Sequence, residues 1–396
     1  TDAGDIGALG SSSSYYGGIA SVEALDTYTV QFTLTEPNAA FLNNLTSNYG
    51  AIVDRDVIDE NGDLMRTDGG TGPFALGEWL PDNYVELTRF EDYWDTDRVQ
   101  LDGITYYLIG DEAALLAALR TGEIDIATLS TNVTAAEEEE NLTVVGYQTN
   151  DYIAMGCNLS TPALQDKNVR QAMSYALDRQ AIINVVYNGQ ATVSSMVPSA
   201  MGHWSLDVSD MDLYQHDVDK AKELMEAAGY SDSNRLTLKL AAGLMDSLRQ
   251  AAVVIQQQLS EIYIDVEITN LESGEYVDIW GKMSTPEAGF DLMVVNDGAG
   301  TDPNRAISFF FGSSASANVF GFSNERVDEL CALGIATTDE AKREEYYNEA
   351  QEICIDDCTK LCIASPMKYF VMSNNVHGFT PSAADASNFR DTYLTQ

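Results

Sequence analysis

The sequence predicts an α/β fold spread over more than one domain. Three observations predict it. A strand-helix-strand run lies at 104–129, a second lies at 236–270, and hydrophobic residues make up 45% of the 396 residues. Strands that alternate with helices point to an α/β sheet, and the second run is most simply a parallel crossover. A chain this long and this apolar can bury large cores and is expected to divide into two or three domains.

The elements follow in order. The opening TDAGDIGALGSSSSYYGG reads as a Gly/Ser loop rather than a domain start. No initiator Met, signal peptide or lipid-attachment Cys lies near Thr1. A longer precursor is therefore expected, with any lipid anchor on its upstream part. VEALDTYTVQFTL (22–34) alternates, with Val30, Phe32 and Leu34 on one face, and predicts a strand. Pro37 ends it and AAFLNNL starts a short helix. At 69–94 a hairpin is expected: Phe74, Leu76 and Trp79 on one strand, Pro81-Asp82-Asn83 as the turn, Val85, Leu87 and Arg89 on the return. Trp79, Tyr93 and Trp94 carry large apolar area and are expected in a core.

ITYYLIG (104–110) is a strand. DEAALLAALRTGE is a helix with Leu115, Leu116 and Leu119 on one stripe and Gly122 as its stop, and IDIATL (124–129) is a strand. NVTAAEEEEN is acidic and loop-like. Asn168 is placed to cap one long helix, VRQAMSYALDRQAIINVVYNG, ended by Gly189. Pro198 to Trp204 is a loop. Asp217 caps a helix stopped by Gly229. LTLKLAA (236–242) is a strand, a helix starts near Asp246 with Ala252, Ile255 and Leu259 inward, and IDVEITN is a strand. FDLMVV (290–295) is a buried strand followed directly by the loop NDGAGTDPN. Thr337 and Glu340 form a capping-box pattern for a long helix to about Asp356. CIASP and YFVMSNN are strand-like.

The formal net charge is −41, from 62 acidic and 21 basic residues. That balance excludes nucleic acid as a partner, since phosphate affinity needs clustered Lys and Arg, and it disfavours anionic lipid. A solvated acidic surface is the simple reading. Attraction of cationic ligands is the sharper one, screened beyond about 8–10 Å. No run of about 18 apolar residues is present to span a membrane. The five cysteines are Cys157, Cys331, Cys354, Cys358 and Cys362. Two readings stay open: free semi-buried thiols, or one disulfide among the last four. A metal cluster would need tighter CxxC spacing with His nearby. His203, His216 and His377 are scattered, and no metal or other cofactor is expected.

Several segments together carry a resemblance. GTGPF…EWLPDNYVELTRFEDYW, LLAALRTGEIDIA, DKNVRQAMSYALDRQAII, HDVDKAKELMEAAGY and FDLMVVNDGAGTDPN occur in register along the chain. The chain resembles the bacterial extracellular solute-binding family 5, the peptide/nickel-type binding proteins of ABC importers. The resemblance implies a periplasmic-binding-protein-like fold (type II, cluster C) with two main lobes, a hinge and a remnant accessory domain. By analogy, residues 1–65 end the accessory domain, residues 66–155 plus 368–396 form a discontinuous lobe I, and residues 156–367 form the ligand-binding lobe II. Members usually carry a longer N-terminal part than this chain.

The resemblance implies a peptide or other small solute bound in an inter-lobe cleft, hinge closure over it, delivery to ABC permease subunits, an extracytoplasmic location (cell-surface lipoprotein or periplasm), and a monomer. The hairpin at 69–94 is then scaffold rather than site. The loop after the strand at 290–295 is the first candidate site, because ligands of open α/β sheets sit beyond the carboxyl ends of strands. Asn296 and Asp297 offer polar groups, and Gly298 and Gly300 permit close backbone approach. Dipeptide-binding relatives carry an Asp four residues before the proline of the Asp-Pro pair, where this chain has Ala299; Asp297 is the substitute to consider. They also hold the peptide carboxylate with an Arg and an aromatic after the strand matching LTLKLAA. Here Ala242, Gly243, Leu244 and Met245 make an apolar wall instead. Tyr152, Asn158 and Trp204 are further candidates. The expectation is a protein that does not clamp free dipeptides by both termini.

A solute sensor of the same fold is the alternative. An enzyme is the reading from a different class, and GxSxG, HExxH, P-loop and Rossmann patterns are all lacking.

Overall fold

A computed structural model describes residues 16–47, 50–61, 67–130, 132–243, 245–381 and 389–395. The Gly/Ser opening falls outside these residues up to position 15. In chain order the strands are β1 (Ile19–Asp26), β2 (Thr29–Leu34), β3 (Phe74–Leu80), β4 (Tyr84–Arg89), β5 (Gly103–Tyr107), β6 (Ile126–Leu129), β7 (Leu142–Gln148) and β8 (Asp151–Cys157). They continue with β9 (Ala191–Val193), β10 (Leu236–Gly243), β11 (Ile264–Leu271), β12 (Leu292–Gly298), β13 (Lys360–Ser373), β14 (Val376–His377) and β15 (Tyr393–Leu394). The fold is mixed α/β. The chain forms two compact units: residues 1–43 with 148–367, and residues 44–147 with 368–396.

The first unit is built on the sheet order β11-β10-β12-β8-β13. β10 runs parallel to β11, as the crossover through the helix Asp246–Ser260 requires. β12 and β13 run antiparallel to β8. Side chains alternate across a strand with period two, so each strand feeds two cores. Ile153, Met155, Leu240, Leu292, Val294 and Leu361 point to one face and pack with residues of the helices Lys167–Ala176, Arg179–Tyr187 and Asp246–Ser260. Tyr152, Ala154, Met293, Val295 and Cys362 point to the other, with Phe310, Phe311, Phe320 and Tyr347. Both layers are almost wholly excluded from water. Each large apolar side chain so buried contributes about 1.5–3 kcal/mol.

The second unit contains the antiparallel sheet β3-β4-β5. β6 pairs with the Tyr369–Met372 end of β13. The helix Glu112–Thr121 starts at Asp111, whose carboxylate accepts from Ala114 N, and stops at Gly122 in the left-handed conformation (φ 72°). Its Leu116 and Leu119 pack with Leu129, Val133 and Val371.

Several expectations are corrected. The segment 22–34 is not one strand: β1 and β2 form a hairpin, and the Asp26 carboxylate accepts from Tyr28 N in its turn. The long helix after residue 168 is two helices, Lys167–Ala176 and Arg179–Tyr187. Leu177 is extended, and Asp178 opens the second helix by accepting from Ala181 N. Asp166, not Asn168, caps the first. Asp339 rather than Thr337 caps Glu340–Asp357. A helix at Glu325–Ala336, capped by Asn324, has no counterpart in the sequence reading. Val133–Glu137 is a short helix, and CIASP and YFVMS belong to one continuous strand that ends at Ser373, before Asn374-Asn375. Of the three large aromatics expected in a core, Tyr93 is buried, whereas Trp79 is 41% and Trp94 78% exposed. All five cysteines are free thiols and buried, so the disulfide left open does not form.

Candidate functional site

The strand register assembles a site on the second face of the first unit's sheet. β12 does not end at Val295 but continues to Gly298, because each of its residues finds a partner on β8, down to Asp297 opposite Tyr152 and Gly298 opposite Asp151. The expected loop residues Asn296, Asp297 and Gly298 are therefore strand. Lys360 begins β13 opposite Gly156. Asp297, Tyr152, Gly156 and Lys360 all lie on the face that carries the phenylalanine cluster.

There Lys360 Nζ meets Asp297 Oδ2 at 2.6 Å, with the two side chains only 2% and 7% exposed. The ammonium lies 4.4 Å from the ring centre of Phe310, 5.2 Å from that of Phe311 and 5.5 Å from that of Phe320. Ring faces attract a desolvated cation by about 2 kcal/mol or more. Gly156 makes room for one of those rings: a Cβ there would lie 2.1 Å from the Phe320 ring. Tyr152 is wholly buried. Burial first, and the Asp297 charge second, push its phenol well above the ordinary value.

Next to this pair is a recess of about 190 Å³, lined by Tyr276, Val277, Trp280, Val295, Asn296 and Asp297. The helix Ser273–Trp280 supplies its aromatic wall. Tyr276 is fixed by its hydroxyl, which donates to the Val294 carbonyl oxygen at 2.9 Å. Burial, then the Asp297 charge, raise its phenol too, so it stays a neutral donor. A second recess of about 270 Å³ lies among Ser194, Ser195, Ser199 and Ser205.

The turn beyond Gly298 is occupied by structural bonds. Ala299 is buried, and its N–H donates to the Asn150 carbonyl oxygen. Asn150 Nδ2 donates to Gly300 O at 2.6 Å. Gly300 has φ 73°, and a Cβ there would meet Arg305 Cδ at 2.6 Å. Asp302 accepts from Arg343 Nη2 at 2.8 and 2.9 Å in a second buried ion pair. The Asp-Pro element is thus held by charge as well as by turn geometry.

A family model described as "Bacterial extracellular solute-binding proteins, family 5 Middle" matches residues 3–318. The chain belongs to this family. Among similar family 5 proteins, the glutathione-binding protein GsiB of Salmonella paratyphi A is 29% identical over 391 residues, which are 96% of this chain and 75% of the relative. Among solved structures, the oligopeptide-binding protein AppA of Bacillus subtilis, in complex with a nonapeptide, is 25% identical with a TM-score of 0.80, over 97% of this chain and 79% of that one. DppA of Helicobacter pylori, an ABC transporter-associated periplasmic binding protein in complex with peptide STSA, is 27% identical with a TM-score of 0.81, over 96% and 76%.

The remaining candidates of this family 5 chain separate. Met245 is 43% exposed and precedes the helix Asp246–Ser260; Leu244 lies outside the described residues. The Asn158 amide donates to the carbonyl oxygens of Thr285 and Phe290, and its oxygen accepts from Ser160, so its polar atoms are committed to the fold. Trp204 is half-buried; its carbonyl accepts from Gln351, and its ring lies 5.2 Å from the Arg343 guanidinium. Only Asn296 and Asp297 of the named set line the 190 Å³ recess. Lys360, Tyr276 and Trp280 escaped the sequence reading. A lone Lys heading the apolar run LCIASP, and the Phe309-Phe310-Phe311 triplet, were the signals available. Among the described residues, no group of three or more His, Cys, Asp or Glu is placed to hold a metal ion, and no helix is long and apolar enough to cross a membrane.

Proposed function

We propose that this chain captures a peptide or peptide-like solute outside the cytoplasm, as the substrate-binding component of an ABC importer, and hands it to permease subunits. The family and the ligands named for the relatives, glutathione, a nonapeptide and the peptide STSA, support that class. One observation carries the placement of the contact: the carboxyl end of β12 and the helix Ser273–Trp280 line an open recess that has an aromatic wall and the polar Asn296 in its lining. In this reading residues 156–367 form the ligand lobe, 66–155 with 368–396 the other lobe, and 1–65 the end of an accessory domain. The protein acts as a monomer, without catalysis, and a lipid anchor on an upstream segment would hold it at the membrane.

A two-ended dipeptide clamp is disfavoured by the same geometry. Ala299 has no charge to offer, and the Asp297 carboxylate already has an ammonium, that of Lys360. Native mass spectrometry of the purified protein, followed by calorimetry with glutathione, STSA and a set of simple dipeptides, tests the proposal. Co-purified or titrated peptide supports it. An empty protein that binds none of these solutes overturns it, and tight binding of simple dipeptides overturns the absence of the clamp.

A further inference from the structure

We propose that the recess between β12 and the helix Ser273–Trp280 receives an uncharged aromatic side chain of the ligand and rejects an ammonium in the same place. This specificity rests on the peptide-binding reading above and deepens it.

The argument begins with size. A cavity of about 150 Å³ is enough to hold benzene, and this one is about 190 Å³. A six-membered ring therefore fits, and the open side leaves room for a fused ring. The walls suit a ring as well: Trp280 and Tyr276 offer aromatic surface, and Val277 and Val295 offer aliphatic surface. Aromatic pairs attract beyond the effect of the area they bury.

Charge then decides between a ring and a cation. The chain carries 62 acidic against 21 basic residues, and a carboxylate, Asp297, lines the recess. Taken alone, these facts favour a cationic ligand group. The Lys360 ammonium removes that preference, because it sits 2.6 Å from the same carboxylate. An incoming ammonium would meet an ion pair of no net charge and a second cation behind it. It would also give up part of its hydration to the aromatic and aliphatic part of the wall with no free carboxylate to replace it. A neutral ring has no such loss. A phenol or indole would in addition place its polar edge within the reach of Asn296.

The test uses small probes on the whole protein. Indole, 4-methylphenol and benzylamine are titrated, with binding read by saturation-transfer NMR and by Trp fluorescence. Indole and 4-methylphenol are expected to bind at least about tenfold more tightly than benzylamine, about 1.4 kcal/mol. Trp280→Ala should abolish that binding. Val277→Asp places a second, uncompensated carboxylate on an exposed rim position (Val277 is 61% exposed). It should move the preference at least about tenfold toward benzylamine. Equal or tighter binding of benzylamine by the native protein, no response to Trp280→Ala, no shift in Val277→Asp, or no binding of either neutral ring would each overturn the inference. The two readings fail separately. Peptides that bind with no preference for an aromatic residue defeat the recess and leave the importer reading standing. Rings that bind while no peptide does defeat the importer reading and leave the recess.

Discussion

Replacing Lys360 by methionine removes an ammonium and keeps a side chain of similar length. It leaves the Asp297 carboxylate without its ammonium and with little water, since that side chain is 7% exposed. Breaking a buried ion pair from one side typically destabilises by about 3–5 kcal/mol, whereas replacing both partners with apolar groups is often neutral. Lys360→Met should therefore lose about 3–5 kcal/mol, and Lys360→Met with Asp297→Leu should regain most of it. For a unit of this size each kcal/mol moves Tm by about 2–4 °C, so the single variant should melt about 6–20 °C lower in the first unit's transition. Scanning calorimetry with a resolved transition for each unit, supported by urea unfolding followed by Trp fluorescence, measures both variants. If the single substitution costs under about 1 kcal/mol, or the double substitution costs as much as the two singles together, the pair is not the buried and mutually dependent unit described here.

Gly156→Ala should destabilise by at least about 1–3 kcal/mol, because its methyl group would lie 2.1 Å from the Phe320 ring and force that side chain out of a filled layer; a native-like Tm would show that the ring moves freely. Asp178→Ala should cost about 0.5–2 kcal/mol through loss of the cap on Ala181 N, with solute affinity unchanged in calorimetry. Burial pushes the thiols of Cys331, Cys358 and Cys362 up to about 12. At pH 8 about one in ten thousand of them is a thiolate, so a disulfide reagent should label the native chain far more slowly than the unfolded one, and rapid labelling would contradict their burial. The same shifts set an alkaline limit. Unfolded cysteines lose protons above about pH 8.5 while the folded ones keep them. Their contribution is whole below that pH and is lost as pH rises toward about 12, so Tm measured from pH 8 to 11 should fall.

Much of the local architecture is legible in the residues themselves. Alternation marks β3, β4, β10 and β11. Asp111 and Asp217 sit where helices begin, Gly122 and Gly229 where they end, since caps and left-handed stops act within a few residues. The motifs spaced along the chain are enough to assign the family. Where local rules competed, the nearest strong cap won: Asp178 divides an otherwise unbroken helical pattern, and Asp339 displaces a plausible Thr-Glu box.

The site is another matter. Asn296 and Asp297 resemble a loop because polar residues and glycines follow an apolar run, yet β8 pairs with them and extends the strand. Asp297 resembles a free ligand group because Lys360 lies 63 residues further along the chain. Trp79 and Trp94 have the character of core residues, yet Trp94 stands largely in solvent and Trp79 is 41% exposed. By itself the sequence determined the period of each segment, its caps and breaks, the acidic balance and the family, because these are properties of neighbours along the chain. Only the tertiary structure decided which carboxylate has a cation, which glycine lies under a ring and which aromatics wall a recess. Those depend on strand register and on which layers stack, and such contacts join residues far apart in sequence.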